Sequence, residues 1–233
     1  MPHSAPSTAL IVGASRGLGL ALAEEYLRRG WHVVATVRGH THTTLHALAA
    51  GSEGRLEIET VDIVEQDQVT ALRQRLAARR FDLLFVNAGV ANGPAETISN
   101  TTTDDFIRVM VTNTLSPMRV IEAFESLVPP TGTIGVMSSG LGSVADNERG
   151  GWEVYRASKA GLNTLMRSFA ARRAGDPRAL VIMCPGWVRT DMGGPDASLD
   201  IEDSIPRVVD TLSSQSGRAG LRYLDYLGHT VRW

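Results

Sequence analysis

Short apolar runs alternate with longer stretches of mixed polarity along most of this chain. Thr8 to Val12, Trp31 to Val37, Leu56 to Val61, Asp82 to Val86, Thr133 to Met137 and Ala179 to Cys184 are rich in apolar and β-branched residues at successive positions. That is the pattern of strands covered on both faces. Between them, the stretches at about 17–29, 65–79, 103–127, 158–174 and 201–214 carry helical spacing, and Leu221 to Leu224 reads as a last short strand. Alternation of this kind predicts an α/β chain with a doubly wound parallel sheet of about seven strands and helices on both faces. Asp67-x-x-Thr70 and Thr103-Asp104-Asp105 read as helix starts, because short polar side chains accept from free backbone N–H groups there. Ala91 to Thr103 and Gly193 to Asp200 read as surface loops, the second as a candidate lid.

At 233 residues with 43% hydrophobic content, the chain can bury one sizeable core, and its length requires no second domain. A formal net charge of −2 with interspersed signs gives no basic stripe, so no nucleic-acid partner is expected. The single cysteine, Cys184, ends an apolar run and reads as a buried, inert thiol in a reducing compartment. Met1 to Ser7 lacks the charged start and apolar stretch of a leader, and no apolar run approaches the ~20 residues of a membrane span. A cytoplasmic protein with no membrane partner is expected.

The first apolar run passes directly into Gly13-Ala14-Ser15-Arg16-Gly17-Leu18-Gly19 and then into a helical stretch. Glycines at such a turn permit a tight bend and close backbone approach to a pyrophosphate, whose charge meets free N–H groups and the positive helix end. A purely structural turn has the same composition. The spacing is not that of a Walker loop, which would end Gly-Lys-Ser/Thr, so hydrolysis of nucleoside triphosphates is not expected. Farther along, Tyr155 and Lys159 stand four residues apart, on one face of a helix. An ammonium beside a phenol favours the phenolate and would bring a group that titrates near ~10 closer to neutral pH, making a proton donor. A packed ring beside a solvated ammonium is the alternative.

Joined with Asn87-Ala88-Gly89, Ser138-Ser139 and Pro185-Gly186-x-x-x-Thr190 after the fourth, fifth and sixth strands, these motifs make the chain resemble the short-chain dehydrogenase/reductase superfamily over nearly its whole length. The stretches Ser138 to Ser143 and Gly150 to Lys159, with the ending Leu224 to Gly228 and Trp233, are most similar to the C-factor/sniffer-type carbonyl reductase branch. The resemblance implies a single-domain Rossmann fold over 1–233, binding NAD(P), with a substrate loop at about 190–214. It implies that Tyr155 is the general acid in reduction and the base in alcohol oxidation, while Lys159 lowers its pKa and binds the nicotinamide ribose. Ser139, the second serine of its pair with Ser138 as fallback, would hydrogen-bond the substrate oxygen. Asn113 would bend the fourth helix and hold a water linking Lys159 to solvent. Gly13, Ser15, Arg16, Gly17, Leu18 and Gly19 would hold the dinucleotide, Asp62 would meet the adenine, and Asn87, Ala88 and Gly89 would line the adenine-side ribose. Val188 and Thr190, in the turn begun by Pro185 and Gly186, would hold the carboxamide. One departure stands out: sixteen positions separate Ser139 from Tyr155, more than in much of the superfamily though similar to the named branch. The segment Asp146 to Gly151 must therefore loop out for both hydroxyls to meet one substrate oxygen.

Charge bears on the choice of cofactor. The second strand ends Ala35-Thr36-Val37-Arg38, with no carboxylate to accept from the ribose 2′-OH of NAD. Arg38 and Arg16 would form a planar fork around a 2′-phosphate, so NADP(H) is expected over NAD(H), which stays possible; both arginines as solvated surface charges is the other reading. A pocket bounded by Val90 to Pro94, Leu141 to Ser143, Trp152, Trp187, Met192 to Asp200 and Tyr226 to Trp233 is mainly apolar, which favours a small hydrophobic ketone, aldehyde or alcohol. His40-x-His42-x-x-x-His46 lies in a threonine-rich stretch read as a loop, with no cysteine or carboxylate beside it, so no metal is expected. Consecutive Asp104 and Asp105 cannot face one another and suit a helix start. Leu165, Met166 and Phe169 read as core or subunit interface, and the resemblance implies a homodimer or homotetramer built on the helices that carry Asn113 and Lys159. The alternative to an NADP(H)-dependent carbonyl reductase or alcohol dehydrogenase is a dinucleotide-binding regulator or signalling protein of the C-factor type. Epimerisation or dehydration on the same scaffold is a third reading.

Overall fold

The computed structural model describes residues 6–39 and 41–233, so His40 and most of the Met1 to Ser7 stretch lie outside the described residues. Among the described residues, β1 (Thr8–Val12), β2 (His32–Val37), β3 (Leu56–Thr60), β4 (Leu83–Val86), β5 (Thr133–Met137), β6 (Ala179–Cys184) and β7 (Gly220–Asp225) form one sheet. Its order is β3-β2-β1-β4-β5-β6-β7, and every adjacent pair is parallel. The helices are α1 (Gly17–Arg28), α2 (Thr44–Ala50), α3 (Gln66–Arg75), α4 (Thr103–Met110), α5 (Ser116–Phe124), α6 (Glu153–Arg172) and α7 (Ile201–Ser213).

Two apolar layers form because strand side chains alternate between faces. In β1, Leu10 and Val12 pack with Leu72 of α3, Ile121 of α5 and Leu162 of α6. Ala9 and Ile11 join Leu22 of α1, Leu45 of α2 and Val208 of α7 on the other face. The edges are less apolar than the sequence pattern suggested. On β3, Glu57 and Glu59 pair with Arg79 and Arg75, charges that blunt an exposed strand edge. Along β7 the final residues fold back, with Val231 N–H donating to the Tyr223 carbonyl at 2.9 Å.

Several elements differ from expectation in kind, extent or starting residue. The threonine-rich stretch after β2 is a helix, α2, started by a reciprocal capping box: Thr43 N–H donates to His46 Nδ1 at 3.1 Å and the Thr43 side chain receives the His46 N–H. His46 thus spends its ring nitrogen on a helix start. The stretch at 103–127 is not one helix: a π turn over Val111–Leu115 divides α4 from α5, and a 3₁₀ turn closes it at Glu125–Leu127. Pro117 at the start of α5 has no N–H to offer the ladder, which accounts for the break. Helix α6 begins at Glu153, ahead of the expected 158, because Gly150, Gly151 and Trp152 all take left-handed φ values of 64°, 69° and 54° and turn the chain sharply into it. Helix α3 starts at Gln66, with Asp67 inside its first turn, and the cap of α4 is Thr102, whose hydroxyl accepts from Asp105 N–H at 3.1 Å. Of the span 190–214, residues 201–213 are helical and 190–200 irregular.

Candidate active site

Strand order reverses between β1 and β4, and side chains from most of the strand ends converge on that crevice, where open parallel sheets place ligands. The glycine turn forms one wall. Gly13, at φ 90°, packs so closely on Ala88 that a Cβ there would lie 2.7 Å from it, and a Cβ on Gly19 would lie 2.0 Å from the Gly13 carbonyl oxygen. Asn87 holds the same carbonyl from the β4 side, donating through Nδ2 at 2.8 Å. The start of α1 has no side-chain cap and no acid in its first turn, leaving N–H groups and the positive helix end free to meet an anion. A dinucleotide pyrophosphate fits that turn.

Because the Gly19 contact is backbone against backbone, Gly19→Ala is expected to splay the turn from its helix. We expect a loss of about 1–3 kcal/mol of stability and a weakening of NADPH binding, read by thermal unfolding and by quenching of NADPH fluorescence.

Other expected dinucleotide contacts surround the turn. Ser15 and Leu18 are half-buried, and Arg38 is exposed at the end of β2. Asp62 closes its own turn, accepting from Val64 N–H at 3.0 Å. Thr190 approaches Gly17 from the opposite wall: a Cβ on Gly17 would lie 4.0 Å from its methyl group, and its hydroxyl accepts from Gly193 N–H at 3.0 Å. Val188 pairs with Leu199 in an isolated bridge, Pro185 accepts from the Ser204 hydroxyl at 2.7 Å, and Gly186, at φ 85°, packs on Leu199 and Tyr226. The Arg16 guanidinium donates to Asp191 across the crevice.

The second group gathers at the ends of β4 and β5 and on α6. Tyr155 and Lys159 are both buried there, one helical turn apart, with Lys159 Nζ 5.7 Å from the Tyr155 ring centroid. The ammonium donates to the Met137 carbonyl at 2.9 Å. Burial reverses the expected shift: it pushes the Tyr155 phenol up to about 12, partly offset by the neighbouring Ser139 hydroxyl. Burial likewise brings Lys159 down to about 8. Each group is held towards its neutral form because the charged form loses hydration and gains no opposite charge in return.

The two serines take different roles. Ser138 is sequestered, donating to Asn163 Oδ1 at 2.7 Å. Ser139 is half-buried; its oxygen accepts from Leu141 N–H at 3.1 Å and its hydroxyl lies beside the Tyr155 phenol. The long connection to Tyr155 is looped out and pinned at its end by Arg156, which donates to the Gly151 carbonyl at 2.9 Å and the Gly150 carbonyl at 3.1 Å. Asn113 sits in the π turn. It accepts from Val90 N–H at 2.8 Å and donates to the Val90 carbonyl at 2.7 Å and to Ser158 Oγ at 3.0 Å. Gly89 leaves room for it, since a Cβ there would lie 3.3 Å from Asn113 Oδ1 and 3.5 Å from Lys159 Nζ.

Three positioning residues escaped the sequence reading. Ser158 donates to the Tyr155 carbonyl at 2.7 Å and so joins Asn113 to the helix turn of Tyr155. Asn163 joins Ser138 to the Gly142 carbonyl at 3.1 Å, and Tyr223 of β7 donates to the Ser139 carbonyl. Helical spacing gives a signal for Asn163, four residues beyond Lys159 on the same face; nothing local marks Tyr223.

A family model described as short chain dehydrogenase matches residues 7–198. A short-chain dehydrogenase/reductase of Burkholderia multivorans, solved with bound NADP, is 59% identical with a TM-score of 0.96, covering 98% of this chain and 100% of that one. A carbonyl reductase of Pseudomonas aeruginosa, solved in complex with NADP, is 34% identical with a TM-score of 0.91, covering 98% and 100%. The protein named C-signal of Myxococcus xanthus is 37% identical over 161 residues, 65% of this chain and 92% of that protein.

Proposed function

The chain belongs to the short chain dehydrogenase family of oxidoreductases, and we propose that it is an NADP(H)-dependent carbonyl reductase that also runs as an alcohol dehydrogenase in reverse. The observation that carries this reading is the meeting of Ser139 and Tyr155 hydroxyls in a buried site with Lys159, beside a glycine turn fit for a dinucleotide. NADP(H), when bound, supplies the hydride. The chain must supply the proton and hold the substrate oxygen.

Ser139 donates to the carbonyl oxygen as negative charge grows on it. Tyr155, kept protonated by burial, gives its proton to the same oxygen, which suits reduction at neutral pH. Lys159 stands ready to steady the phenolate that results, and Asn113 fixes the π turn against the strand-four loop and Ser158. For cofactor choice, Arg38 at the end of β2 has no acid beside it among the described residues, while Arg16 must leave Asp191 to reach a 2′-phosphate. The bound NADP of the Burkholderia and Pseudomonas proteins favours the same choice. Exposed Trp187, Met192 and Leu227 give the substrate side an apolar rim, which suits a hydrophobic ketone or aldehyde. Exposed Phe106, Ile107, Leu115 and Leu165 offer a face for a second copy of the chain. Among the described residues no helix is long and apolar enough to cross a membrane.

Consumption of NADPH, and separately NADH, across a panel of apolar ketones and aldehydes tests the reading. Preference for NADPH is expected, and Arg38→Ala should raise the KM for NADPH roughly tenfold, the scale of one charged hydrogen bond, while moving that for NADH far less. Likeness to C-signal favours a second reading, a dinucleotide-responsive signalling protein; tight NADPH binding with no turnover on any carbonyl would support it.

A further inference from the structure

Beyond β7 the chain turns at Asp225, which accepts from His229 N–H at 2.8 Å, and runs back antiparallel to the strand, with Leu224 and Thr230 bridged. Val231 N–H donates to the Tyr223 carbonyl at 2.9 Å, and the Trp233 ring packs edge-on against Tyr223 with centroids 5.6 Å apart. Tyr223 is buried, and its hydroxyl donates to the Ser139 carbonyl, which also accepts from Gly142 N–H at 2.9 Å. Trp233 reaches the same turn a second way: its carbonyl accepts from Ala145 N–H at 2.9 Å, and beside it Arg232 pairs with Asp146. Residues 230–233 thus hold the chain at residue 139, through Tyr223, and again at residues 145 and 146. Arg167 of α6 steadies the indole in turn, its guanidinium carbon 4.7 Å from the ring centroid.

We propose that Trp233 is a positioning residue for the reaction: it keeps the Tyr223 hydroxyl on the Ser139 carbonyl and so fixes where the Ser139 hydroxyl stands as charge grows on the substrate oxygen. The proposal rests on the reductase reading. A donor of this kind works because its place is set before the reaction, and its outright loss costs about 10²-fold or more in rate. Without the indole, the edge of Tyr223 opens to water, which competes with the Ser139 carbonyl for the phenolic proton. Ser138 and Gly142 stay bonded to Asn163, so the turn keeps its fold and loses only its exact placement. Trp233 is 37% exposed, and shortening it leaves no sealed cavity.

The test is kinetic coupling between Trp233 and Ser139. Trp233→Ala should lower kcat for a small apolar ketone roughly tenfold, part of the loss owed to the whole donor, and leave the KM for NADPH within about twofold. Trp233→Phe, which keeps a ring against Tyr223, should restore most of the rate, and Tyr223→Phe should match Trp233→Ala. In a Ser139→Ala background, Trp233→Ala should cost less than about a further twofold, because the hydroxyl it places is gone. An unchanged kcat in Trp233→Ala or Tyr223→Phe, or an equal loss from Trp233→Ala with and without the Ser139 hydroxyl, overturns the proposal. Should the wild type reduce no ketone, the reductase reading fails separately, and amide hydrogen exchange in NADP-loaded protein decides the role of Trp233. It stands if Trp233→Ala speeds exchange at Leu141 and Gly142 at least about tenfold with Ala23 of α1 unchanged, and falls if those two exchange as in the wild type or all three rise together.

Discussion

Tyr155→Phe should lower kcat for carbonyl reduction about 10³-fold, within the range for loss of a positioned general acid, while leaving NADPH binding within a few-fold of wild type. The phenol is buried beside Ser139, and burial pushes it up to about 12, so at neutral pH the proton to be donated is always present. The variant keeps the ring, its edge-on packing at 5.8 Å against Trp152 and its place on α6, and removes only the hydroxyl. Stability should change by less than about 1 kcal/mol, since one hydroxyl interaction with Ser139 is lost and one buried polar group is relieved. Stopped-flow reduction with saturating NADPH, set beside a binding titration, separates the two effects.

Lys159→Met should act in opposite directions on activity and on stability. Activity should fall by at least about 10²-fold, because the phenolate left by proton transfer loses its cation. Stability at pH 7 should rise by about 2 kcal/mol: removing a buried ammonium brought down to about 8 relieves roughly 3 kcal/mol, against about 1 for its bond to the Met137 carbonyl. The sign has a pH signature. The folded state releases this proton near pH 8 and the unfolded chain near 10.5, so across that window the unfolded state binds more protons and stability rises with pH. Below about 8 both states hold the proton and the penalty is complete. Tyr155, with its folded value at about 12, works the other way only above pH 10. Denaturant unfolding of wild type at pH 7 and 9.5 should therefore show the rise, and Lys159→Met should show it much reduced.

Much of the fold was legible because central parallel strands must be apolar on both faces, and the runs in β1, β4, β5 and β6 are. The misreadings lie where that constraint lapses. Helix α2 is short and threonine-rich, and its capping box uses a histidine in place of the usual Glu or Gln. The π turn lies inside a continuous amphipathic stretch, marked locally by Pro117 and, through the family resemblance, by the bend expected at Asn113. Among site residues, the ordered motifs were legible because each follows a strand. What could not be read was set by tertiary contact: Asp191, distant in sequence, taking Arg16, and Tyr223 steadying the Ser139 turn. The pKa directions belong to the same class, since Tyr-x-x-x-Lys spacing announces an ammonium near a phenol and says nothing of the hydration both lose.

Hydride transfer from NADPH to a carbonyl carbon, with Tyr155 as the proton source, is checked with NADPH deuterated at C4 on both faces and an apolar ketone. Mass spectrometry of the product alcohol should find one deuterium at the carbinol carbon with wild type and essentially no product with Tyr155→Phe in the same time. Deuterium arriving equally fast with Tyr155→Phe would remove Tyr155 as the donor. Tight NADPH binding with no deuterated alcohol from any ketone or aldehyde would contradict the reductase account.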